Sequence, residues 1–257
     1  IFVEDVVAAY PFTSVQIAAL GSTQLAALDS KGLNALTSRQ IGAFSTSQIA
    51  ALSSTQIIEL STSQAAGLTS TQIGALSAEN LAVMETADFA ALRSGAIAAL
   101  NSTQVVELTT AQIVALTTRQ MAGLGSTQLL ALSTGVIAAL ETADVAALRS
   151  TNIARLSAEQ VAQFSTIQIR ALTEKQIGAL STTHFAESLS ADQVSALSSR
   201  QVAMLGSAQI GAMSTTDLQA LASNQIRALQ SSGIAALGTT QIAAFSSSQL
   251  AVFTVKQ

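Results

Sequence analysis

The chain has 257 residues, 49% of them apolar and only 10% charged, with 11 Lys and Arg against 15 Asp and Glu for a net charge of −4. It has no Cys, which excludes disulfides and thiolate metal sites. Its basic residues stand singly, as with Arg39, Arg119 and Arg170, which argues against a phosphate-tracking, nucleic-acid-binding surface, and no apolar run approaches the roughly 18 residues of a membrane span.

Residues 1–12 (I-F-V-E-D-V-V-A-A-Y-P-F) hold the only Pro and the only Tyr and lack the basic start and small-residue cleavage pattern of a signal peptide. They read as an irregular lead-in or degenerate cap. From Thr13 onward one eight-residue phrase, Ser/Thr-Ser/Thr-x-Gln-Ile-Ala-Ala-Leu, recurs about 30 times, beginning with Thr13 to Leu20 and running to Ser246 to Phe253.

Each octad carries its own helix-start signal. Position 1 is usually Ser or Thr, whose hydroxyl accepts from the free amides of a first helical turn. Position 4 is Gln in about 20 units, which completes a capping box. Positions 5 and 8, such as Ile49 and Leu52 or Ile73 and Leu76, put the large apolar groups on one face of a two-turn helix. Ala or Gly at positions 6 and 7 lets neighbouring helices approach closely. On this reading Ser53→Ala costs about 0.5 to 2 kcal/mol, and Gln56→Ala costs less.

One uninterrupted helix fails, because eight residues at roughly 100° each turn the apolar stripe by about 80° per unit and place hydroxyl pairs mid-helix. Strands fail because period-2 alternation is absent. A stack of helix hairpins would alternate with period 16, and no such alternation exists. The expected fold is therefore all-α: a solenoid of about 30 short two-turn helices, one per octad, with positions 5 and 8 inside and the Ser/Thr/x positions outside.

Residues 13–257 read as a single array, and Thr254 to Gln257 (T-V-K-Q) begins another octad, as though cut from a longer one. Glu85 to Leu100 recurs in modified form at Glu141 to Leu156, seven octads on. Ser181 to Leu189 (S-T-T-H-F-A-E-S-L) contains one extra residue, so a local bulge is expected there, with Leu189 shifted off the inner face.

Candidate chemistry is sparse, and no residue is assigned as catalytic, cofactor-binding or metal-binding. His184, the only His, occupies position 4 and reads as a capping substitute for Gln rather than a ligand, since metal sites take three or four protein ligands. A serine nucleophile needs a base within reach, and one His cannot serve dozens of serines; the chain reads as a non-enzyme. Glu85 with Asp88, Glu141 with Asp144, Asp29 and Asp217 are acids near helix N-termini, where dipole and free amides suffice to hold them. Gly32, Gly135 and Gly233 are isolated and form no phosphate loop.

The phrases S-T-S-Q-I-A-A-L at Ser45 to Leu52 and T-T-A-Q-I-V-A-L at Thr109 to Leu116 resemble the long repeat tracts of very large secreted or surface-exposed bacterial exoproteins, often labelled adhesins or haem-utilisation proteins. The resemblance covers nearly the whole chain and implies an extracellular or cell-surface stalk, spacer or filament segment, with neighbouring repeats or other copies as partners and no cofactor. The alternative is a binding module whose Ser/Thr/Gln surface engages carbohydrate, another solenoid or ice. TAL-type DNA readers also use short Gln-containing helical repeats, but their units span about four octads with a variable base-reading pair, which this chain lacks.

Overall fold

A computed structural model describes residues 13–255 and 257, which fall into two compact units, one ending at Leu132 and the other beginning at Ser133. The expected lead-in at residues 1–12 lies outside the described residues. In the first unit the octads fold as helices of four to six residues, from Ser14–Ala18 and Ser22–Ala26 to Ser126–Ala131. In the second they run from Thr134–Ala139 to Ser247–Leu250, with one π-helix at His184–Ser188. No strand occurs among the described residues.

The capping box is present as read. Ser53, in extended conformation at φ −74° and ψ 159°, accepts the Gln56 N–H at 3.3 Å, while Gln56 Oε1 accepts the Ser53 N–H at 3.0 Å. Where Gly replaces the hydroxyl residue, Gln alone keeps the start: the Gly125 N–H reaches Gln128 Oε1 at 2.7 Å. Helices often end when position 8 returns to extended backbone, as at Leu76 (φ −67°, ψ 143°) and Leu140 (φ −61°, ψ 139°). Two extended residues, positions 8 and 1, then carry the chain into the next helix, and no described residue has a positive φ.

Within each unit the principal helix pairs are three octads apart, for example Ala78–Ala82 with Ser102–Glu107 in the first and Ala191–Ser195 with Thr215–Ala220 in the second. That pattern is a screw of equivalent octads, not a stack of hairpins, in which consecutive helices would pair. Small residues lie at the closest approach. A Cβ added at Gly178 (position 6) would stand 3.8 Å from the Met204 Cβ, at position 7 three octads on, and one at Gly211 would stand 3.7 Å from the Ala236 Cβ in the same relation. Gly67 is tighter still: any side chain there runs into the Ser38 carbonyl oxygen.

The core is the row of positions 5 and 8, with Ile57 at 0% exposure and Leu60 at 3% typical of the array. Burying such a side chain contributes roughly 1.5 to 3 kcal/mol. The nine-residue unit does bulge, but Leu189 stays buried, contrary to expectation. Its amide bonds to the His184 carbonyl at 2.9 Å across five residues, so one wide turn absorbs the extra residue and returns Leu189 to the inner face.

Candidate functional site

Among the described residues, position 4 is the one place where polar side chains enter the interior as a system. Gln56, Gln72, Gln112 and Gln176 are buried, although Gln is ordinarily a surface residue. The Ser/Thr/Gln surface of the alternative reading is thus corrected for its Gln, which belongs to the wall of the core. Its amide is used at both ends. Gln72 Oε1 accepts the Thr69 N–H at 2.8 Å, and its Nε2 donates to the carbonyls of Ile41 and Phe44, each at 2.8 Å, 31 and 28 residues earlier. Gln104 repeats this on Ile73 and Leu76, and Gln176 on Val145 and Leu148. Because the cap N–H can only donate and the carbonyls only accept, the orientation of each amide is fixed.

These clasps set the pitch. Helices three octads apart pack side by side, while Gln reaches the octad four units back. One turn within either unit therefore takes between three and four octads. Past the insertion the reach lengthens by one residue: Gln201 and Gln209 bond to Leu172 and Leu180 across 29 residues, and Gln225 returns to 28 at Leu197. The clasp thus follows spatial register rather than sequence count.

His184 fills the same role. Its Nδ1 accepts the Ser181 N–H at 3.1 Å, and its Nε2 lies 3.0 Å from the Leu156 carbonyl, 28 residues back. A neutral imidazole with its proton on Nε2 is the form that satisfies both. The side chain is 4% exposed, and that burial, partly offset by the Leu156 carbonyl, holds its pKa below the ordinary value of 6.5. Ser188, in the same π-turn, has the one buried side-chain polar atom without a hydrogen-bond partner among the described residues.

The acids divide. Asp29 caps Gly32, and Asp217 accepts the Ser214 N–H at 3.0 Å. Asp88 instead accepts from the Thr62 hydroxyl at 2.7 Å, three octads back, as Asn80 does from Ser54 at 2.9 Å. Glu85 and Glu141 make no side-chain cap bond. Asp144 is buried, and that burial, with the nearby Glu141 charge, raises its carboxyl pKa. Among the described residues no three His, Cys, Asp or Glu side chains gather where a metal could sit. Cations that are scattered in sequence do meet in space: Arg170, Lys175 and Arg200 line one surface groove with Glu174, Thr173 and Ser198.

Fold and ladder together define a helical repeat protein in which the repeated polar side chains bond to the chain's own backbone. The ALTTAQ repeat family model matches residues 12–46, 26–62, 46–78, 81–118, 137–174, 187–215 and 210–247, and the chain belongs to that family. A comparison with curated proteins gives no match. No helix among the described residues is long and apolar enough to cross a membrane.

Proposed function

We propose that this array is a non-enzymatic structural segment, a stalk or spacer of a large extracellular surface protein. The observation that carries this reading is the clasp: the groups that recur in most octads, the position 1 hydroxyl and the position 4 amide, are engaged in holding the screw together. Near-identical units extend such an array without a new design at each step, and each depends chiefly on its neighbours. The resemblance to exoprotein tracts supports the surface setting.

The test is whole-octad deletion in the intact parent protein. Removing Ser45 to Leu60 should leave the array folded and shorten its reach in small-angle scattering, with binding by other parts of the protein retained. Loss of a specific binding activity on deletions that preserve folding would contradict a spacer.

A second reading, a binding module, is favoured by the groove at Arg170, Lys175 and Arg200, where three cations face one acid. It fits an anionic polysaccharide. Salt-sensitive binding of such a polymer that is lost on Arg170→Ser with Arg200→Ser would support it; equal binding by the variant would exclude it.

A further inference from the structure

We propose that the Ser181 to Leu189 unit is an acid-labile joint: a proton taken up on His184 Nδ1 removes the acceptor that caps Ser181 and opens this unit before its neighbours.

In ordinary octads the clasp is an amide, which does not titrate between pH 5 and 8, so those units are indifferent to acid in that range. His184 is the array's one clasp whose acceptor is a basic nitrogen, and the chain has no other His. Protonation comes from solvent and forms an Nδ1–H bond. That hydrogen then points at the Ser181 N–H, two donors facing across 3.1 Å, while the Nε2–H to the Leu156 carbonyl is retained. The imidazolium is also left in a site with 4% exposure, where an unpaired charge is costly. Both penalties vanish if the turn opens to water.

The unit also holds the one buried side-chain polar atom without a hydrogen-bond partner among the described residues. Its helix is a π-turn closed by the Leu189 amide on the His184 carbonyl, and the Ser188 hydroxyl is buried without a partner. Opening releases Ser188 to solvent as well as His184.

No buried counter-charge stands ready to hold the imidazolium. The π-turn itself carries Glu187, the packed helix Ala158–Ala162 carries Glu159, and the octad of Leu156 carries Arg149 and Arg155; all four are exposed on the outer surface. The other packed helix, Ser207–Ala212, has no ionisable side chain.

The sign follows from linkage. Burial lowers the folded-state pKa below 6.5, so the opened state binds the proton first, and stability of this unit is lost as pH falls from 6.5 towards the depressed folded value. One proton limits the effect to about tenfold in the opening equilibrium per pH unit inside that window.

The experiment is amide hydrogen exchange on the full chain between pH 7.5 and 5, expressed as protection factors so that intrinsic exchange rates cancel, for the wild type and His184→Gln. Protection of the Ser181 to Leu189 amides should fall in acid by up to about tenfold per unit in the wild type, ahead of Ile169 and Val194, and stay level in His184→Gln, which restores the ordinary clasp. Level protection in the wild type down to pH 5, or an equal fall in the variant, overturns the proposal. The wild type also supplies a check that needs no variant: the single imidazole, followed by ¹⁵N shifts, should titrate below 6.5, and a midpoint at or above that value is incompatible with the joint.

Discussion

Gln56 donates from Nε2 to the Leu28 carbonyl at 3.0 Å, joining two residues 28 apart in sequence and one turn apart in the screw. The same amide bonds to the Leu25 carbonyl at 3.0 Å, and its oxygen holds the Ser53 N–H. One side chain thus starts its own helix and ties it to the turn below.

This reverses the expected order of two substitutions. Ser53→Ala removes one cap acceptor, at about 0.5 to 2 kcal/mol. Gln56→Ala leaves the Ser53 N–H and two buried carbonyls without a side-chain partner, at about 1 to 3 kcal/mol for each group truly desolvated. Chemical denaturation should therefore rank Gln56→Ala as the more damaging. An equal or smaller loss for Gln56→Ala would mean that water replaces the clasp at no cost.

Two glycines should respond with opposite signs to Ala. Gly74 has nothing within 4 Å of an added Cβ, so Gly74→Ala should stabilise by about 0.4 to 1 kcal/mol. At Gly67 the added carbon meets the Ser38 backbone, which cannot swing aside as a side chain can, and Gly67→Ala should destabilise by more than about 1 kcal/mol. Melting temperatures of the two variants decide it.

The core rows give a third test. Ile113→Ala empties a site with 1% exposure and should cost about 2 to 5 kcal/mol, whereas Arg119→Asp on the outer surface should change stability by less than about 0.5 kcal/mol. Similar denaturation midpoints for both would place inside and outside wrongly.

Asp144 predicts a pH dependence of its own. Its carboxyl is raised above the ordinary 3.8 by burial and by Glu141, so the folded state holds the proton more tightly than the unfolded one. Stability from this group is present below pH 3.8 and is lost as pH rises through the folded value. Asp144→Asn should therefore stabilise at pH 7, and the gain should shrink towards pH 3.8. A gain independent of pH would assign the effect to something other than ionisation.

The octad helices, their caps and the inward rows at positions 5 and 8 were legible in sequence because they depend on contacts within eight residues. The second half of the Gln role was not, because its partners lie 28 and 31 residues away and are main-chain carbonyls, which leave no side-chain signature. One signal was there to be used. A capping box accepts Glu as readily as Gln, yet Glu stands at position 4 in no octad, while Asn80, Asn152 and His184 do. Each of those has a donor as well as an acceptor, and so does Gln, so the prevalence of donor-bearing residues at position 4 reports a carbonyl waiting for an N–H; Asp88 and Asp217, which stand there too, have no donor when ionised and accept from Thr62 and Ser214 instead. The π-turn was half legible: the extra residue announced a bulge, but keeping Leu189 inside depended on the i to i+5 closure. The groove at Arg170, Lys175 and Arg200 could not be read at all, since its members come from different octads brought together only by the pitch.

That pitch is the central claim, and disulfide trapping tests it most directly in a chain with no Cys of its own. Gly178→Cys with Met204→Cys places two Cβ atoms about 3.8 Å apart, the usual separation in a disulfide. Mild oxidation should join this pair within one molecule, and should leave Gly178→Cys with Ala212→Cys, four octads apart, in the thiol form. Failure of the first pair, or equal trapping of the second, would contradict a screw whose helices pack three octads apart.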